Sequence, residues 1–225
     1  MTYQAIIFDA YGTLFDVYSI NVLAEKHFPG KGEALTGLWR DKQIEYTRLR
    51  TLCSTYKPFW EVTQDALIFS CKKLGLDLDL NAQHALMSQY AKLAAFPESL
   101  PVLSQLKELG IKLAILSNGN PEMLEAAVKA GGMVHLFAHL LSVDSVKKFK
   151  TAPEAYQLGT DVFGVPAKQI LFVSSNGWDI CGASWYGYQT FWVNRAGAPL
   201  EELGVKPNAE ARSLNDLLAF VTHLS

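Results

Sequence analysis

The sequence predicts an α/β protein built on a doubly wound parallel sheet, with a helical domain inserted after the first strand. Short, continuous apolar runs alternate with helical patterns through the second half of the chain. This alternation is typical of parallel strands that are covered by helices on both faces. Of the 225 residues, 49% are hydrophobic and 19% are charged, which is enough apolar material for a sizeable core.

Five runs rich in apolar and β-branched residues are predicted to be strands. They lie at residues 4–9, 111–117, 140–143, 169–174 and 189–194. Helical patterns follow at residues 98–109, 121–130, 153–163, 179–186 and 214–224. Gly110 and Gly164 come just after the first and third of these helices, where helix ends favour glycine. Repeated strand–helix–strand units imply right-handed crossovers, and therefore a doubly wound, Rossmann-like core.

The segment between the first two predicted strands breaks this rhythm. Residues from about 18 to 92 carry several helical patterns and no strand pattern. We therefore predict a helical cap domain at residues 18–92, inserted into a catalytic core of residues 1–17 and 93–225. Such a cap would exclude water from a site at the sheet edge and contribute specificity residues.

Charge and cysteine content narrow the range of partners. The net charge is −2 and no basic tract is present, which argues against nucleic acid as a partner. No apolar run is long enough to cross a bilayer, and the first residues lack a secretory signal pattern. Three scattered cysteines form neither a metal motif nor a disulfide framework, which indicates a reducing compartment. We expect a cytoplasmic protein that binds a small molecule rather than nucleic acid or membranes.

Candidate catalytic or binding residues lie at or just after the carboxyl ends of four of the five predicted strands. A single serine or asparagine at such a place could cap the next helix, and a single lysine is usually solvated. Because the carboxyl ends of parallel strands meet at one sheet edge, where open α/β folds bind ligands, we expect the four groups to converge. The residues are Asp9 and Thr13 after the first strand, Ser117 and Asn118 after the second, Lys150 after the third, and Ser174, Asn176 and Asp179 after the fourth.

These strand ends carry four motifs. They are Asp9-Ala10-Tyr11-Gly12-Thr13-Leu14, Ser117-Asn118-Gly119, Lys150 and Ser174-Ser175-Asn176-Gly177-Trp178-Asp179. Together they resemble the haloacid dehalogenase superfamily, and most closely its L-2-haloacid dehalogenase (type II) family. The resemblance continues into the insertion at Leu38-Trp39-Arg40 and Pro58-Phe59-Trp60, so it covers nearly the whole chain. Two departures bear on rate and substrate range: Thr151 replaces the usual proline after the motif lysine, and Gly177 replaces a common alanine.

Tyr11 separates two kinds of reaction within that superfamily. Its phosphatases carry a second acid two residues after the nucleophile, and tyrosine occupies that position here. The fourth motif offers Asp179 as its only carboxylate, so the site has few of the hard oxygen ligands that Mg²⁺ needs. A halide leaves as a stable anion and needs donors rather than a proton, which Arg40 and Asn118 would provide. We expect no metal and no cofactor, with a Mg²⁺-dependent phosphatase or phosphonatase as the alternative.

The resemblance implies hydrolysis of short L-2-haloalkanoic acids to D-2-hydroxy acids in two steps. Asp9 attacks C2 of the substrate, forms an ester and inverts that carbon, and water then hydrolyses the ester. Lys150 keeps the nucleophile ionised, and Thr13 hydrogen-bonds to it. Asp179 either activates the water or orients Lys150. The other residues assigned to this region are Asn176 and Ser174, which place the water, and Tyr156, which matches a family tyrosine near the site.

The resemblance also implies groups that bind the substrate. The Ser117 hydroxyl and backbone N–H groups near Tyr11 and Asn118 would hold its carboxylate. An apolar wall would surround its alkyl group, with core packing an equal alternative for Phe59. The expected wall residues are Tyr11, Phe59, Trp60 and Trp178.

Two further expectations concern the oligomeric state of the protein and the alternative of a non-catalytic role. Members of the family are often homodimers, and apolar positions on the inserted helices could form such an interface. A binding protein that keeps the fold without catalysis is a further alternative. Such a protein would have no physical need for Asp9, Arg40, Lys150 and Asp179 together.

Overall fold

The computed structural model describes residues 3–223 and confirms the doubly wound α/β fold. Six parallel strands form one sheet in the order β3-β2-β1-β4-β5-β6. Their bounds are Ala5–Phe8 (β1), Lys112–Ser117 (β2), His139–Ser142 (β3), Ile170–Ser174 (β4), Gln189–Val193 (β5) and Ala209–Ala211 (β6). The direction of winding reverses between β1 and β4, and a crevice therefore opens at their carboxyl ends.

Nine helices occur in the described part of the chain. They are Asn21–His27 (α1), Gly32–Leu52 (α2), Phe59–Leu74 (α3), Leu80–Tyr90 (α4), Ser99–Glu108 (α5), Pro121–Ala130 (α6), Pro153–Phe163 (α7), Gly177–Tyr186 (α8) and Asp216–His223 (α9). The bounds of α6 and α7 agree with the sequence prediction, whereas α8 begins two residues earlier, at Gly177. The predicted end of the last helix, Leu224, lies outside the described residues. None of these helices is both long and apolar enough to span a membrane.

Strand β1 lies in the middle of the sheet, and all four of its residues are fully buried. It hydrogen-bonds to β2 on one side and to β4 on the other, with Phe8 level with Ile115 and Val173. Because these three residues stand at the same height, the loops that follow their strands begin side by side. The residue after Phe8 is Asp9, which therefore enters the crevice at its centre.

Helices α1 to α4 lie between β1 and α5 and are held together partly by buried polar contacts. Trp39 Nε1 donates to Thr63 O at 2.7 Å, and Gln43 Nε2 donates to Thr63 Oγ1 at 2.6 Å. Tyr90 Oη donates to Gln43 Oε1 at 3.1 Å. All four residues are buried. Since a buried amide with both ends bonded tolerates little rotation, Gln43 fixes α2 against α3 and α4.

The inserted helices contact the sheet edge at two places and connect to it by paired linkers. Phe96 N donates to Leu14 O at 2.9 Å, and Asp16 N donates to Ala94 O at 2.8 Å, so the outgoing and returning segments run together. At the far side, Trp60 N donates to Asn120 Oδ1 at 2.8 Å. Tyr56 Oη likewise donates to Asp144 Oδ1 at 2.6 Å. These contacts place α2 and the start of α3 over the carboxyl ends of the strands.

Candidate active site

Lys150 lies between two carboxylates at the carboxyl ends of β1 and β4. Its Nζ is 3.0 Å from Asp9 Oδ1 and 2.9 Å from Asp179 Oδ2. Lys150 is 1% exposed and Asp179 is fully buried. Burial alone would lower the pKa of Lys150, but the two carboxylates outweigh burial and raise it. The lysine therefore stays charged and holds both acids in one buried cluster.

Asp179 receives donors on both of its carboxylate oxygens. Tyr156 Oη donates to Oδ1 at 2.7 Å, while Ser174 Oγ donates to Oδ2 at 3.2 Å beside Lys150. Burial raises the pKa of Asp179 to about 6, and the charge of Lys150 offsets that rise only in part. Asp179 is thus a fully coordinated carboxylate that titrates close to neutrality.

The second oxygen of Asp9 is held by two neutral donors. Thr13 Oγ1 donates to Oδ2 at 2.8 Å and Asn176 Nδ2 donates to it at 2.9 Å. Ser175 N donates to Thr13 Oγ1 at 2.8 Å, and Asn176 N donates to Ser174 Oγ at 3.1 Å. The loops after β1 and β4 therefore orient Oδ2, while Lys150, from the loop after β3, binds Oδ1, as expected for strand ends that converge.

Arg40, from α2, hydrogen-bonds to the loops that follow β1 and β4. Its Nη2 donates to Asn176 Oδ1 at 2.8 Å and to Tyr11 O at 3.3 Å. Gly12 makes this approach possible, because a Cβ at that position would lie 3.1 Å from Arg40 Nη2. The φ of Gly12 is +91°, a conformation that other residues rarely adopt. A cation from the inserted helices thus sits directly above the nucleophile loop.

Ser117 and Asn118 form a tight turn at the end of β2. Gly119 N donates to Ser117 Oγ at 3.1 Å, which leaves the hydroxyl proton of Ser117 available to an acceptor. Lys150 N donates to Asn118 Oδ1 at 2.9 Å. That bond orients the Asn118 amide, so its NH₂ group is the end left to donate elsewhere.

A cavity of about 20 Å³ lies beside Asp9, which is room for one water molecule. Eight of the residues that line it belong to the sequence prediction: Asp9, Tyr11, Arg40, Phe59, Ser117, Asn118, Asn176 and Trp178. Three further lining residues, Gln43, Ile44 and Thr47, were not predicted. They stand three, four and seven positions after Arg40, the spacing of one helix face, and that spacing was the available signal.

Five predicted residues gather behind Asp9 instead of lining the cavity: Thr13, Lys150, Tyr156, Ser174 and Asp179. Trp60 neither lines the cavity nor joins that group. It is half-buried against the core, and its backbone N–H donates to Asn120. The expected wall of four aromatic residues is therefore made by Tyr11, Phe59 and Trp178, with Ile44 as an aliphatic member.

Tyr11 occupies the place of the second acid that a phosphatase of this pattern would carry. Its ring packs on Phe59 and Tyr90, each at a centroid distance of 5.9 Å. Its hydroxyl is buried without a hydrogen-bond partner among the described residues. Burial raises the pKa of this hydroxyl well above its usual value, so it stays neutral. The side chain supplies a neutral aromatic surface in place of a carboxylate.

The arrangement places the Asp9 carboxylate between the Lys150 cation behind it and further donors across a small cavity. Lys150 already occupies the space between Asp9 and Asp179 where a shared cation would sit. Within residues 3–223, no three His, Cys, Asp or Glu side chains cluster closely enough to hold a metal ion. Such a site is chemically suited to attack an electrophilic carbon of an anionic substrate.

Fold and site together define a hydrolase of the haloacid dehalogenase-like class. The model of that family, described as a haloacid dehalogenase-like hydrolase, matches residues 3–187. A relative from Pseudomonas sp. (strain YL), named (S)-2-haloacid dehalogenase, is 46% identical over 94% of this chain and 91% of its own.

Solved structures agree with this class. The L-2-haloacid dehalogenase RSc1362 has 59% identity and a TM-score of 0.97, covering 99% of this chain and 100% of its own. The L-2-haloacid dehalogenase from Xanthobacter autotrophicus, solved with chloropropionic acid covalently bound, has 36% identity and a TM-score of 0.92, with full coverage of both chains. The chain therefore belongs to the (S)-2-haloacid dehalogenase family.

Proposed function

We propose that this chain hydrolyses short L-2-haloalkanoic acids to D-2-hydroxy acids through an ester on Asp9, without a metal ion. The observation that carries this proposal is the position of Asp9. It borders the cavity on one side and hydrogen-bonds to Lys150 on the other. A carboxylate held in this way is ionised and pre-oriented, which is what displacement at carbon requires.

The first step is a displacement at C2 of the substrate. An oxygen of Asp9 forms a bond to C2, the bond from C2 to the halogen breaks, and the halide leaves with its electron pair. Attack in line with that bond inverts C2, so an L substrate gives a D product. Arg40 and the free NH₂ end of Asn118 both border the cavity and are the donors we assign to the departing halide.

The substrate carboxylate requires donors of its own, because it enters a site that already contains Asp9. We assign this role to the hydroxyl of Ser117, whose proton is not committed, and to backbone N–H groups near Tyr11 and Asn118. Tyr11, Phe59, Trp178 and Ile44 then face the alkyl group. This apolar surface also keeps water away from the charges, which strengthens their interaction.

The second step is hydrolysis of the ester. Water attacks the Asp9 carboxyl carbon, and the bond from that carbon to the ester oxygen breaks. The ester oxygen, which came from Asp9, leaves on C2, and the oxygen of the water remains on Asp9. One proton passes to the departing 2-hydroxy group and the other to solvent. Asn176 borders both the cavity and Asp9, and it is the residue we assign to position the water.

We assign Asp179 to orienting Lys150 rather than to activating the water. Both of its oxygens already accept hydrogen bonds, and it is fully buried and does not border the cavity. Lys150 then faces the charge that develops on the Asp9 carboxyl group during hydrolysis. Thr13, Ser174 and Tyr156 support the same arrangement from behind.

We further propose that residues 18–92 act as a cap over a core formed by residues 1–17 and 93–225. Arg40, Phe59 and the unpredicted lining residues of α2 support this role, since they cover the cavity from the inserted side. A cytoplasmic homodimer remains our expectation, with the exposed Leu49 and Leu52 of α2 as candidate contacts. The partner in catalysis is a small-molecule haloacid.

A single-turnover reaction in ¹⁸O-labelled water, with enzyme in excess over L-2-chloropropionate, tests the pathway. The label should enter Asp9 first and the released acid should contain none. Label that appears directly in the product would contradict an ester intermediate. The Asp9→Asn variant should release no halide. The control variant Asp41→Asn, on the exposed surface of α2, should release halide as the wild type does.

A chelator distinguishes the proposed dehalogenase from the alternative, a Mg²⁺-dependent phosphatase. Halide release should be unchanged by EDTA, and no phosphate ester should be hydrolysed when Mg²⁺ is added. Phosphatase activity that requires Mg²⁺ and disappears with EDTA would favour the alternative.

A further inference from the structure

Arg195 lies in the loop after β5, outside the four motifs, and uses every N–H donor of its guanidinium group. Its Nη1 donates to Ser175 Oγ at 2.7 Å and to Gly12 O at 3.3 Å. Its Nη2 donates to Thr13 O at 3.0 Å and to Glu98 Oε1 at 2.9 Å, and its Nε donates to the same carboxylate oxygen at 3.1 Å. Since a guanidinium has five such donors, its capacity is fully used.

Two of these acceptors are main-chain carbonyls of the nucleophile loop. Gly12 O and Thr13 O belong to the turn that follows Asp9, and Arg195 is the donor that reaches both. Charge-assisted bonds of this kind are stronger than bonds between neutral groups. Loss of the guanidinium would leave two half-buried carbonyls to find other donors, and the turn would gain freedom to move.

The turn is coupled directly to the Asp9 carboxylate. Thr13 Oγ1 donates to Asp9 Oδ2 and itself accepts from Ser175 N, both at 2.8 Å. Arg195 holds the carbonyl of Thr13 and the side chain of Ser175. Arg195 therefore fixes Thr13 itself and Ser175, whose N–H donates to the Thr13 hydroxyl.

Arg195 also attaches this loop to the linker that returns from the inserted helices. Its guanidinium carbon lies 3.8 Å from the ring centroid of Phe96, and Glu98 stands two residues further along. Phe96 N donates to Leu14 O, so the linker runs beside the nucleophile loop. A planar guanidinium can stack on a ring and bind a carboxylate at once, whereas lysine cannot do both with one fixed plane.

We propose that Arg195 is a positioning residue for the reaction, and that it acts through Thr13 to hold Asp9 in the orientation that attacks C2. This inference rests on the proposed function. Arg195 does not border the cavity beside Asp9, and we expect it to act without contacting the substrate. It lines a neighbouring, open cavity of about 430 Å³ that Gly12, Arg40 and Asn176 also border. Substitution should therefore lower kcat and leave KM nearly unchanged.

Chemical rescue tests this role. In Arg195→Ala, kcat for L-2-chloropropionate should fall about 10- to 100-fold, as expected for a displaced nucleophile. Because the large cavity opens beside the missing group, millimolar guanidinium sulfate should restore part of the lost rate. Sodium sulfate at the same ionic strength should not, and the sulfate salts keep the halide assay free of added chloride. Arg50→Ala removes a guanidinium paired with Asp65 in the inserted helices and should retain full kcat.

A second variant tests the same role in case Arg195→Ala does not fold. Arg195→Lys keeps the charge and the aliphatic chain but loses the planar fork, so it should fold, lose kcat and respond little to guanidinium. Wild-type kcat in Arg195→Ala, or equal rescue by sodium sulfate, would overturn the proposal. Absence of halide release from the wild-type enzyme would instead contradict the proposed function.

Discussion

The hydroxyl of Tyr156 donates to Asp179 Oδ1 across 2.7 Å, on the opposite oxygen from the one that binds Lys150. Both side chains are fully buried. Burial raises the pKa of Asp179 to about 6, whereas the bond from Tyr156 acts to lower it. The tyrosine therefore helps to set the pH below which Lys150 loses a charged partner.

Replacing Tyr156 with Phe should move the acid limb of the pH profile to higher pH. Without the hydroxyl, the protonated form of Asp179 is favoured at a higher pH, and Lys150 loses its orienting carboxylate sooner. The measurement is kcat/KM against pH from 5 to 8 for both proteins. Tyr186→Phe removes a hydroxyl that bonds Thr160 and should leave the limb in place. An unchanged or lowered limb in Tyr156→Phe would contradict the link.

Replacing Lys150 with Met should destabilise the fold most strongly near neutral pH. Two carboxylates would remain buried without their cation, and removing one partner of a buried pair costs about 3–5 kcal/mol. Because Lys150 lowers the pKa of Asp179, that pKa would rise further in the variant. The folded state would then bind more protons than the unfolded state, so stability should increase as pH falls from 7 to 5.

Urea unfolding at pH 7 and pH 5 measures this effect of Lys150→Met. Lys42→Met breaks an exposed pair with Glu45 and should cost no more than about 1 kcal/mol, with little pH dependence. A Lys150→Met protein whose stability changes between pH 7 and pH 5 no more than that of the wild type would show that the pair is not charge-coupled.

Replacing Arg40 with Met should slow halide departure. Removing one donor at a developing anion typically costs about 10²–10³ in rate, and the loss should be greater for the 2-chloro than for the 2-bromo substrate, since bromide leaves more readily. The ratio of kcat for the two substrates is the measurement. Arg50→Met, on the same helix but outside the cavity lining, should leave that ratio unchanged. Equal losses on both halides would place Arg40 outside halide binding.

Replacing Gly177 with Ala should stabilise the protein by about 0.4–1 kcal/mol, because alanine has less freedom to lose on folding. A Cβ there would meet Glu201 Cγ at 3.2 Å, and that exposed side chain can move aside. Gly12→Ala is the matched comparison with the opposite sign, since φ at Gly12 is +91°. Thermal unfolding should separate the two, and a destabilised Gly177→Ala would show that the departure to glycine is required.

The strand-end residues could be predicted because parallel strands bring their carboxyl ends together regardless of side-chain detail. Asp9, Ser117 and Asn176 needed only the strand assignments to be placed at one edge. Strand β6 was missed because Ala209–Ala211 is only three residues long and contains no β-branched residue. Its three residues pair with β5 through the main chain, which sequence patterns do not reveal.

The lining of the cavity from α2 was harder to predict than the strand ends. Helical spacing was visible, but it did not say which face turns toward the sheet, and Leu49, an apolar residue of α2, is in fact exposed. The buried face includes two polar residues: Gln43, which hydrogen-bonds to Thr63 and Tyr90 of neighbouring helices, and Thr47, whose hydroxyl donates to Ile44 O of its own helix. Arg195 was missed although it follows a predicted strand, because its role depends on carbonyls from two other loops.

The cavity beside Asp9 has consequences for affinity. The space beside Asp9 is about 20 Å³, so we expect substrate to enter when α2 and Phe59 stand further from the sheet edge. The apparent dissociation constant then equals the intrinsic one divided by the fraction of open molecules. Contacts far from Asp9, such as the hydrogen bond from Tyr56 to Asp144, contribute to the free energy that sets this fraction. We therefore expect the substrate range to depend on the free energy of opening as well as on the shape of the pocket.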